Sequence, residues 1–389
     1  MIFYHLCAII LICLAIGLGL IRRCTLYSPM MISALVWLSV FLVGLLLEGR
    51  FYPIKDEAFI AWMTWFMVTW LIFFLFSPVH IENNRTIAEI RKIPFDYTWP
   101  LILLIGWLVY KIWVIGYSGP EHFFFNLRLA ATGTEGLSNL GLIERFYPLI
   151  FALFLFEHIY ARRENIYLRI LLWCFMLLYA MASMSKLAFL TPISSWVIIQ
   201  GISGRLKVRK IVILAPIVFA AIMSLHFLRA AISNRVTIED LLAIYIYSPL
   251  VALGYMDIDD QLPLGTLTLR FFYVIASYLD IMPIPSSTLG YTAVPELTNV
   301  YTVMGPFYYD FGLIGVFGGA AFYGLLFSYL FIKSMKGSGL GLLLFSGYSI
   351  ALLMQSFSDV LMIFLSYNLQ LLIYGVIVFL ASRKVLYGR

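Results

Sequence analysis

Long apolar stretches recur along the chain, and short segments between them carry most of the polar and charged residues. The hydrocarbon core of a bilayer is about 30 Å thick, so a helix needs about 20 apolar residues to cross it. Eleven stretches approach that length, and together they predict an all-α polytopic membrane protein. The predicted spans are residues 2–20, 28–47, 58–77, 98–117, 143–160, 166–184, 187–203, 210–227, 311–332, 339–357 and 361–382.

Two connections between spans are long, at about 118–142 and 228–310. Long connections in a compact protein are usually functional. The second contains two short apolar stretches, 241–255 and 267–282, which are interrupted or flanked by Pro, Arg or Asp. These stretches predict interfacial or re-entrant helices. The chain is thus expected to have three parts. They are residues 1–227 with the first eight spans, the large loop 228–310, and residues 311–389 with the last three spans.

Most of the 26 Lys and Arg residues fall in every second connector. Cytoplasmic connectors carry an excess of Lys and Arg. The alternation therefore predicts an outer N-terminus, a cytoplasmic C-terminus and two long loops on the outer face.

Composition supports a membrane protein, since 62% of the 389 residues are hydrophobic and 12% are charged. Soluble domains are about 45–50% apolar and about 25% charged. The net charge of +6 does not indicate nucleic-acid binding, because the basic residues are spread through short connectors. The four Cys residues form no CxxC pair, so neither a disulfide framework nor a zinc site is expected.

Several cations lie in predicted outer segments, where the charge rule disfavours them. A guanidinium group binds phosphate oxygens in a bidentate manner, so these cations from separate segments are expected to converge on one diphosphate. The alternative is that each side chain reaches individually to lipid headgroups. The set consists of Arg128, Arg145, Lys186, Arg229, Arg235 and Arg270.

The stretch TNVYTVMGPFYYDFGLIG, residues 298–315, is rich in Tyr and precedes a predicted span. Tyr rings bind sugar faces, although they are also common in the interfacial belt of membrane proteins. Asp310 is a candidate general base, with an N-terminal cap of the ninth span as the alternative. The candidate sugar-binding residues are Asn299, Tyr301, Thr302, Tyr308 and Tyr309.

An Asp-x-Asp pattern occurs in MDIDDQ, residues 256–261. Such a pair holds a divalent metal against a diphosphate in nucleotide-sugar transferases. Here it lies in a predicted outer loop, where solvated acids are the favoured interpretation. We therefore predict neither a metal nor a cofactor.

The segment 298–315 resembles the signature of bacterial oligosaccharide repeat-unit polymerases, the Wzy-type O-antigen polymerase family. The matching pattern is Asn-Val-Tyr-Thr, then an aromatic pair, then Asp-Phe-Gly before a late span. The resemblance implies a fold like the membrane-embedded GT-C-type transferases. It also implies that Arg128, Arg229, Arg235 and Arg270 hold diphosphates. Lys186 matches a Ser–Lys pair of the family, but Leu187 follows it where relatives carry Gly.

The resemblance also implies a reaction in the periplasmic leaflet of the bacterial inner membrane. A growing glycan on undecaprenyl diphosphate would be the donor, and a lipid-linked repeat unit would be the acceptor. Asp310, Glu296 or His226 would take the proton of the attacking hydroxyl. A polysaccharide chain-length regulator is a partner expected from the family alone.

Two other functions fit parts of the pattern. An O-antigen ligase would share the outer cations and the large loop, but the Asn-Val-Tyr-Thr…Asp-Phe-Gly pattern favours the polymerase. A flippase or transporter for a lipid-linked oligosaccharide would be expected to have a charged central cavity and inverted repeats. The sequence contains no internal repeat.

Overall fold

The computed structural model describes most of the chain, and helices dominate the part that it describes. Some side chains within the helix 208–229 fall outside this description as well. The described ranges are 2–47, 49–76, 91–119, 121–133, 139–160, 166–206, 208–229, 243–258, 263–285, 289–295 and 297–384.

The first nine helices are α1 Ile2–Ile21, α2 Pro29–Leu46, α3 Asp56–Phe76, α4 Thr98–Ser118, α5 Phe123–Ala131, α6 Leu142–Ile159, α7 Ile166–Ser183, α8 Lys186–Ile202 and α9 Val208–Arg229. A π-helical segment, Ala243–Tyr247, follows. The remaining helices are α10 Ser248–Leu253, α11 Arg270–Tyr278, α12 Gly305–Met335, α13 Gly339–Leu353, α14 Val360–Ile363 and α15 Leu365–Ala381. The strands are β1 Arg91–Lys92, β2 Thr292–Ala293, β3 Leu297–Thr298 and β4 Arg383–Lys384.

Each of the first ten predicted spans overlaps one helix, and the largest differences are late in the chain. Helix α12 begins at Gly305 rather than at 311, and α13 ends at Leu353 rather than at 357. The last predicted span is divided between α14 and α15. Among the described residues, six helices are long and apolar enough to cross a membrane: α1, α2, α3, α4, α7 and α12. The protein is therefore an α-helical protein with membrane-embedded character.

The helices form two compact units, and each unit is assembled from three separate stretches of chain. Unit 1 comprises Met1–Glu82, Val236–Ile332 and Ala351–Asn368. Unit 2 comprises Asn83–Arg235, Lys333–Ile350 and Leu369–Arg389.

The core of unit 1 is aromatic and contains one shared polar acceptor. Helices α1, α2 and α3 pack together. The side-chain Oε1 of Gln355 accepts hydrogen bonds from Ser33 Oγ at 3.1 Å, Trp37 Nε1 at 3.3 Å and Trp65 Nε1 at 3.2 Å. Lipid offers no partner to a buried polar group, so such groups must be satisfied inside the protein. Gln355 thereby joins α2 and α3 to the segment 354–359.

In the predicted apolar stretch 241–255, residues 243–253 pack inside unit 1 and most of them are buried. The π-helical segment and α10 pack against α2 and α3. Every residue of α10 is buried, and the hydroxyl of Tyr247 lies 2.8 Å from Nε2 of His5 on α1. This stretch is therefore inserted among the helices rather than lying on a surface.

Helix α12 contains a sharp break at Gly312, where φ is 61° and ψ is −147°. Side chains with a Cβ rarely adopt this conformation, so glycine is required. Residues 305–311 fold back onto the helix that follows. As a result, the carbonyl oxygen of Phe307 lies against Gly315 and the ring of Phe307 lies against Gly319.

Unit 2 is a helical bundle in which α7 contacts α4, α5, α6 and α8. Its helix starts are conventional: the side chain of Ser185, for example, accepts a hydrogen bond from Ala188 N and caps α8. Strands β1 and β4 pair antiparallel, with Arg91 opposite Lys384. The guanidinium group of Arg91 lies 4.0 Å from the ring centroid of Phe379, an arrangement that favours a cation–π contact.

Candidate functional site

Four cations of the predicted set lie in described helices of unit 2: Arg128, Arg145 on α6, Lys186 and Arg229. Arg128 lies on α5, Lys186 is the first residue of α8, and Arg229 is the last residue of α9. Consecutive helices from α6 to α9 pack together, and α5 packs against α4, α7 and α9. The convergence of these cations on one diphosphate stays a prediction.

A buried amide holds the short helix α5 against the end of α4. Nδ2 of Asn126 donates to Gly116 O at 2.9 Å and to Glu121 O at 2.7 Å. Its Oδ1 accepts from Glu121 N at 3.0 Å. The ring of His122 caps α5 by accepting a hydrogen bond from Phe125 N. These contacts fix the backbone that carries Arg128.

Several predicted site residues are only partly described or not described. Arg235 and Glu296 lie outside the described residues. The side chains of Arg229 and His226, both on α9, also lie outside them. The predicted roles of these four residues stay predictions.

Arg270 begins helix α11 in unit 1. Its Nε donates to Pro285 O at 3.3 Å, and among the described residues its guanidinium group has no further partner. Helix α11 has no buried residue and exposes Phe272, Ile275 and Tyr278. An exposed apolar face beginning with a cation is typical of a helix that lies in a membrane interface. This agrees with the interpretation of the stretch 267–282.

Asp310 is 7% exposed, and its carboxylate holds the loop that precedes Arg270. Oδ2 accepts from Thr268 N at 2.7 Å, from Thr268 Oγ1 at 2.6 Å and from Leu267 N at 3.2 Å. Oδ1 accepts from Leu267 N at 3.3 Å. These contacts are not those of an N-terminal helix cap, because they connect Asp310 to residues 267 and 268 in a loop that is distant in sequence. Asp310 therefore fixes the backbone two residues before Arg270.

The five candidate sugar-binding residues are divided between buried and partly exposed positions. Tyr301 is buried, and its hydroxyl donates to Gly290 O at 2.5 Å and lies 2.8 Å from Thr292 Oγ1. Burial raises the pKa of Tyr301, so its hydroxyl stays protonated at neutral pH. Thr302 is also buried, whereas Asn299, Tyr308 and Tyr309 are partly exposed. The first two residues thus support this segment, and a role of the other three in sugar binding stays a prediction.

Sequence reasoning missed the segment that lies behind this loop. Thr302 N donates to Phe357 O at 3.1 Å, and Val303 N donates to Gln355 O at 2.9 Å. Asp359, four residues after Gln355, is fully buried. The one sequence signal that could have indicated a role for Gln355 and Asp359 is that each is a polar residue within or beside a late apolar stretch.

An apolar cavity of about 350 Å³ lies beside the Asp310–Thr268 contact. Thr268 and Leu269 line one part of it, so the cavity lies next to the backbone that leads into Arg270. The exposed side of α12 adjoins the cavity, since Ile314 is 83% exposed. The remaining lining residues are Phe307, Phe311, Ile314, Gly315, Gly318, Gly319, Phe322 and Met362.

Within the described ranges, no group of three or more His, Cys, Asp and Glu side chains is arranged to hold a metal ion. Asp257 is described, but Asp259 of the Asp-x-Asp pattern lies outside those ranges.

Comparison with known proteins gives no match: no family model, no curated protein and no solved structure is significantly similar to this chain.

Proposed function

We propose that the protein is a membrane-embedded glycosyltransferase that polymerises oligosaccharide repeat units. The observation that carries this proposal is the resemblance of residues 298–315 to the Wzy-type O-antigen polymerase signature. Two structural features support it. Arg128, Lys186 and Arg229 lie on packed helices of unit 2, and Arg270 follows the loop held by Asp310 in unit 1.

The proposal includes the finer topology. Eleven spans run from an outer N-terminus to a cytoplasmic C-terminus in the bacterial inner membrane, in a GT-C-like arrangement. The periplasmic side then holds the buried π-helical segment, α10, α11 and the Tyr-rich segment, residues 298–315. A chain-length regulator is the proposed protein partner.

The proposed reaction needs no nucleotide. A hydroxyl oxygen of the acceptor's terminal sugar bonds to the anomeric carbon of the donor glycan. The bond from that carbon to the diphosphate oxygen breaks, and undecaprenyl diphosphate leaves with the electron pair. Arg and Lys side chains stabilise the charge that develops on the leaving group. The hydroxyl proton passes to a base.

Among the three candidate bases, the surroundings of Asp310 favour a positioning role. Its carboxylate already accepts four hydrogen bonds from residues 267 and 268. A base must be within hydrogen-bond reach of the proton that it abstracts. We therefore assign proton abstraction to Glu296 or His226, and the placement of the Arg270 segment to Asp310.

We assign the cavity next to Thr268 to the isoprenoid chain of the lipid-linked substrate. Its lining is apolar apart from Thr268, and it adjoins the lipid-facing side of α12. A chain in this cavity would bring its diphosphate end towards Arg270, the residue after Leu269.

Filling the cavity should reduce polymerisation without unfolding the protein. A Cβ added at Gly318 meets no atom within 4 Å, so Gly318→Trp is expected to fit sterically and to occupy the cavity. We expect the Michaelis constant for a lipid-linked repeat unit to rise about tenfold, equivalent to about 1.4 kcal/mol of lost binding. The Michaelis constants of the variant and the wild type are measured from polymerisation kinetics of the reconstituted proteins.

The matched control is Gly106→Trp, because Gly106 on the apolar helix α4 has equally open surroundings. Equal kinetics for the two variants would contradict the assignment of the cavity.

A deletion strain tests the proposed function itself. Loss of a polymerase leaves lipid A–core carrying one repeat unit, whereas loss of a ligase leaves bare core. Loss of a flippase removes even the single-unit product. A reconstituted reaction with a defined lipid-linked repeat unit, with and without EDTA, then measures activity and metal dependence together. Bare core in the deletion strain would refute the polymerase proposal.

A further inference from the structure

Asp359 is a fully buried acid whose two oxygens have different surroundings. Oδ1 accepts hydrogen bonds from Tyr323 OH at 2.5 Å, Leu361 N at 2.9 Å and Met362 N at 3.1 Å. Oδ2 is buried and has no partner among the described residues. The side chain is 0% exposed.

This asymmetry distinguishes the charged form of Asp359 from its neutral form. A carboxylate spreads its charge over both oxygens. When one of these oxygens is buried and accepts no hydrogen bond, the negative charge on it is not stabilised. Burying such a charge costs far more than leaving one hydroxyl without an acceptor. In a neutral acid, Oδ1 is the carbonyl oxygen that accepts three donors, and Oδ2 carries the proton.

Asp310 provides a contrast within the same unit. Both of its oxygens accept hydrogen bonds, as expected for an ionised carboxylate. Two buried carboxyl groups in surroundings that favour opposite charge states are a recurring pattern in active sites.

Asp359 is also the last residue of segment 354–359, which supports the Tyr-rich segment, residues 298–315. It caps α14 and binds Tyr323 on α12. Thr302 pairs with Ser358, the residue before Asp359, in an isolated bridge. The carbonyl groups of Gln355 and Phe357 take the N–H groups of Val303 and Thr302.

We infer that Asp359 is a neutral acid at mildly acidic pH and acts as a positioning residue, holding segment 354–359 behind residues 298–311, which carry Asn299 and Tyr308. The positioning part rests on the proposed function, whereas the charge state does not. An amide offers the same acceptor as a neutral acid, so Asp359→Asn is expected to be tolerated.

Burial raises the pKa of Asp359 to about 6, so infrared spectroscopy of the full-length protein in detergent at about pH 5 tests the charge state. The difference between wild type and Asp359→Asn should contain the C=O stretch of one protonated carboxyl group. The matched control, Asp310→Asn, should lose carboxylate bands instead. Loss of carboxylate bands in Asp359→Asn would overturn the inference.

Tyr323→Phe provides a second test if Asp359→Asn fails to fold. It removes one hydrogen bond to the carbonyl oxygen and keeps the acid. The C=O band should therefore shift in frequency, and an unshifted band would refute the assignment.

The positioning role is tested by polymer synthesis at matched membrane abundance. Asp359→Asn should stay within about threefold of wild type, whereas Asp359→Ala should fall at least about tenfold. An inactive Asp359→Asn protein that remains folded would overturn the positioning role. If the wild-type protein also makes no polymer, the proposed function fails and the infrared result still stands.

Discussion

Alanine at position 310 is expected to abolish polymer formation and to destabilise the protein. The substitution removes the acceptor for three donors: Leu267 N, Thr268 N and Thr268 Oγ1. A buried donor left without a partner costs about 1–3 kcal/mol. We expect a loss of about 3 kcal/mol or more in the free energy of unfolding, together with misplacement of the segment that leads to Arg270. Thermal unfolding in detergent and glycan ladders on gels measure the two effects.

Asparagine at position 310 separates positioning from proton abstraction. Its amide oxygen still accepts one bond, but its NH₂ group meets a backbone N–H, so Asp310→Asn should lose part of both stability and activity. A stable but inactive Asp310→Asn protein would favour the role of general base. The matched control is Asp280→Asn, since Asp280 is exposed and asparagine tolerates its positive φ of 55°.

Alanine at position 270 is expected to shorten the polymer strongly without changing stability. The guanidinium group makes one hydrogen bond, to Pro285 O, among the described residues, so the fold loses little. A hydrogen bond between charged groups contributes about 1.5–3 kcal/mol, so loss of the diphosphate contact should lower polymerisation about 10- to 100-fold. Lysine keeps the charge but lacks the bidentate geometry, so Arg270→Lys should retain an intermediate activity.

Lys336→Ala is the control for the loss of one exposed positive charge, because Lys336 lies in a connector predicted to be cytoplasmic. Long ladders in both Arg270→Ala and Arg229→Ala strains, at normal protein abundance, would refute the diphosphate assignment. Ladder length and membrane abundance are measured on the same samples.

The helices were predictable because lipid leaves the backbone few choices. A chain in hydrocarbon must satisfy its own N–H and C=O groups, so each long apolar run becomes a helix. A local signal also marks the start of α2, where Ser28 precedes Pro29 and caps the helix. The polar interruptions in the stretch 267–282 predicted an interfacial helix, and the exposed apolar face of α11 agrees with that prediction.

The placement of the loop residues was not predictable, because it depends on partners that are distant in sequence. Tyr301 and Tyr308 look alike in the sequence, yet the first is buried against Gly290 and the second is partly exposed. The burial of Asp359 and its hydrogen bond with Tyr323, which lies 36 residues earlier, likewise depend on tertiary packing. Nothing local to Asp310 indicates that it binds residues 267 and 268.

The break at Gly312 also determines how the protein matches the thickness of its membrane. A continuous helix of the 31 residues in α12 would be about 46 Å long, well beyond a hydrocarbon core of about 30 Å. After the break, residues 313–335 extend about 34 Å, which a modest tilt accommodates. One glycine therefore shortens the continuous helix and removes the hydrophobic mismatch that the apolar run alone would create.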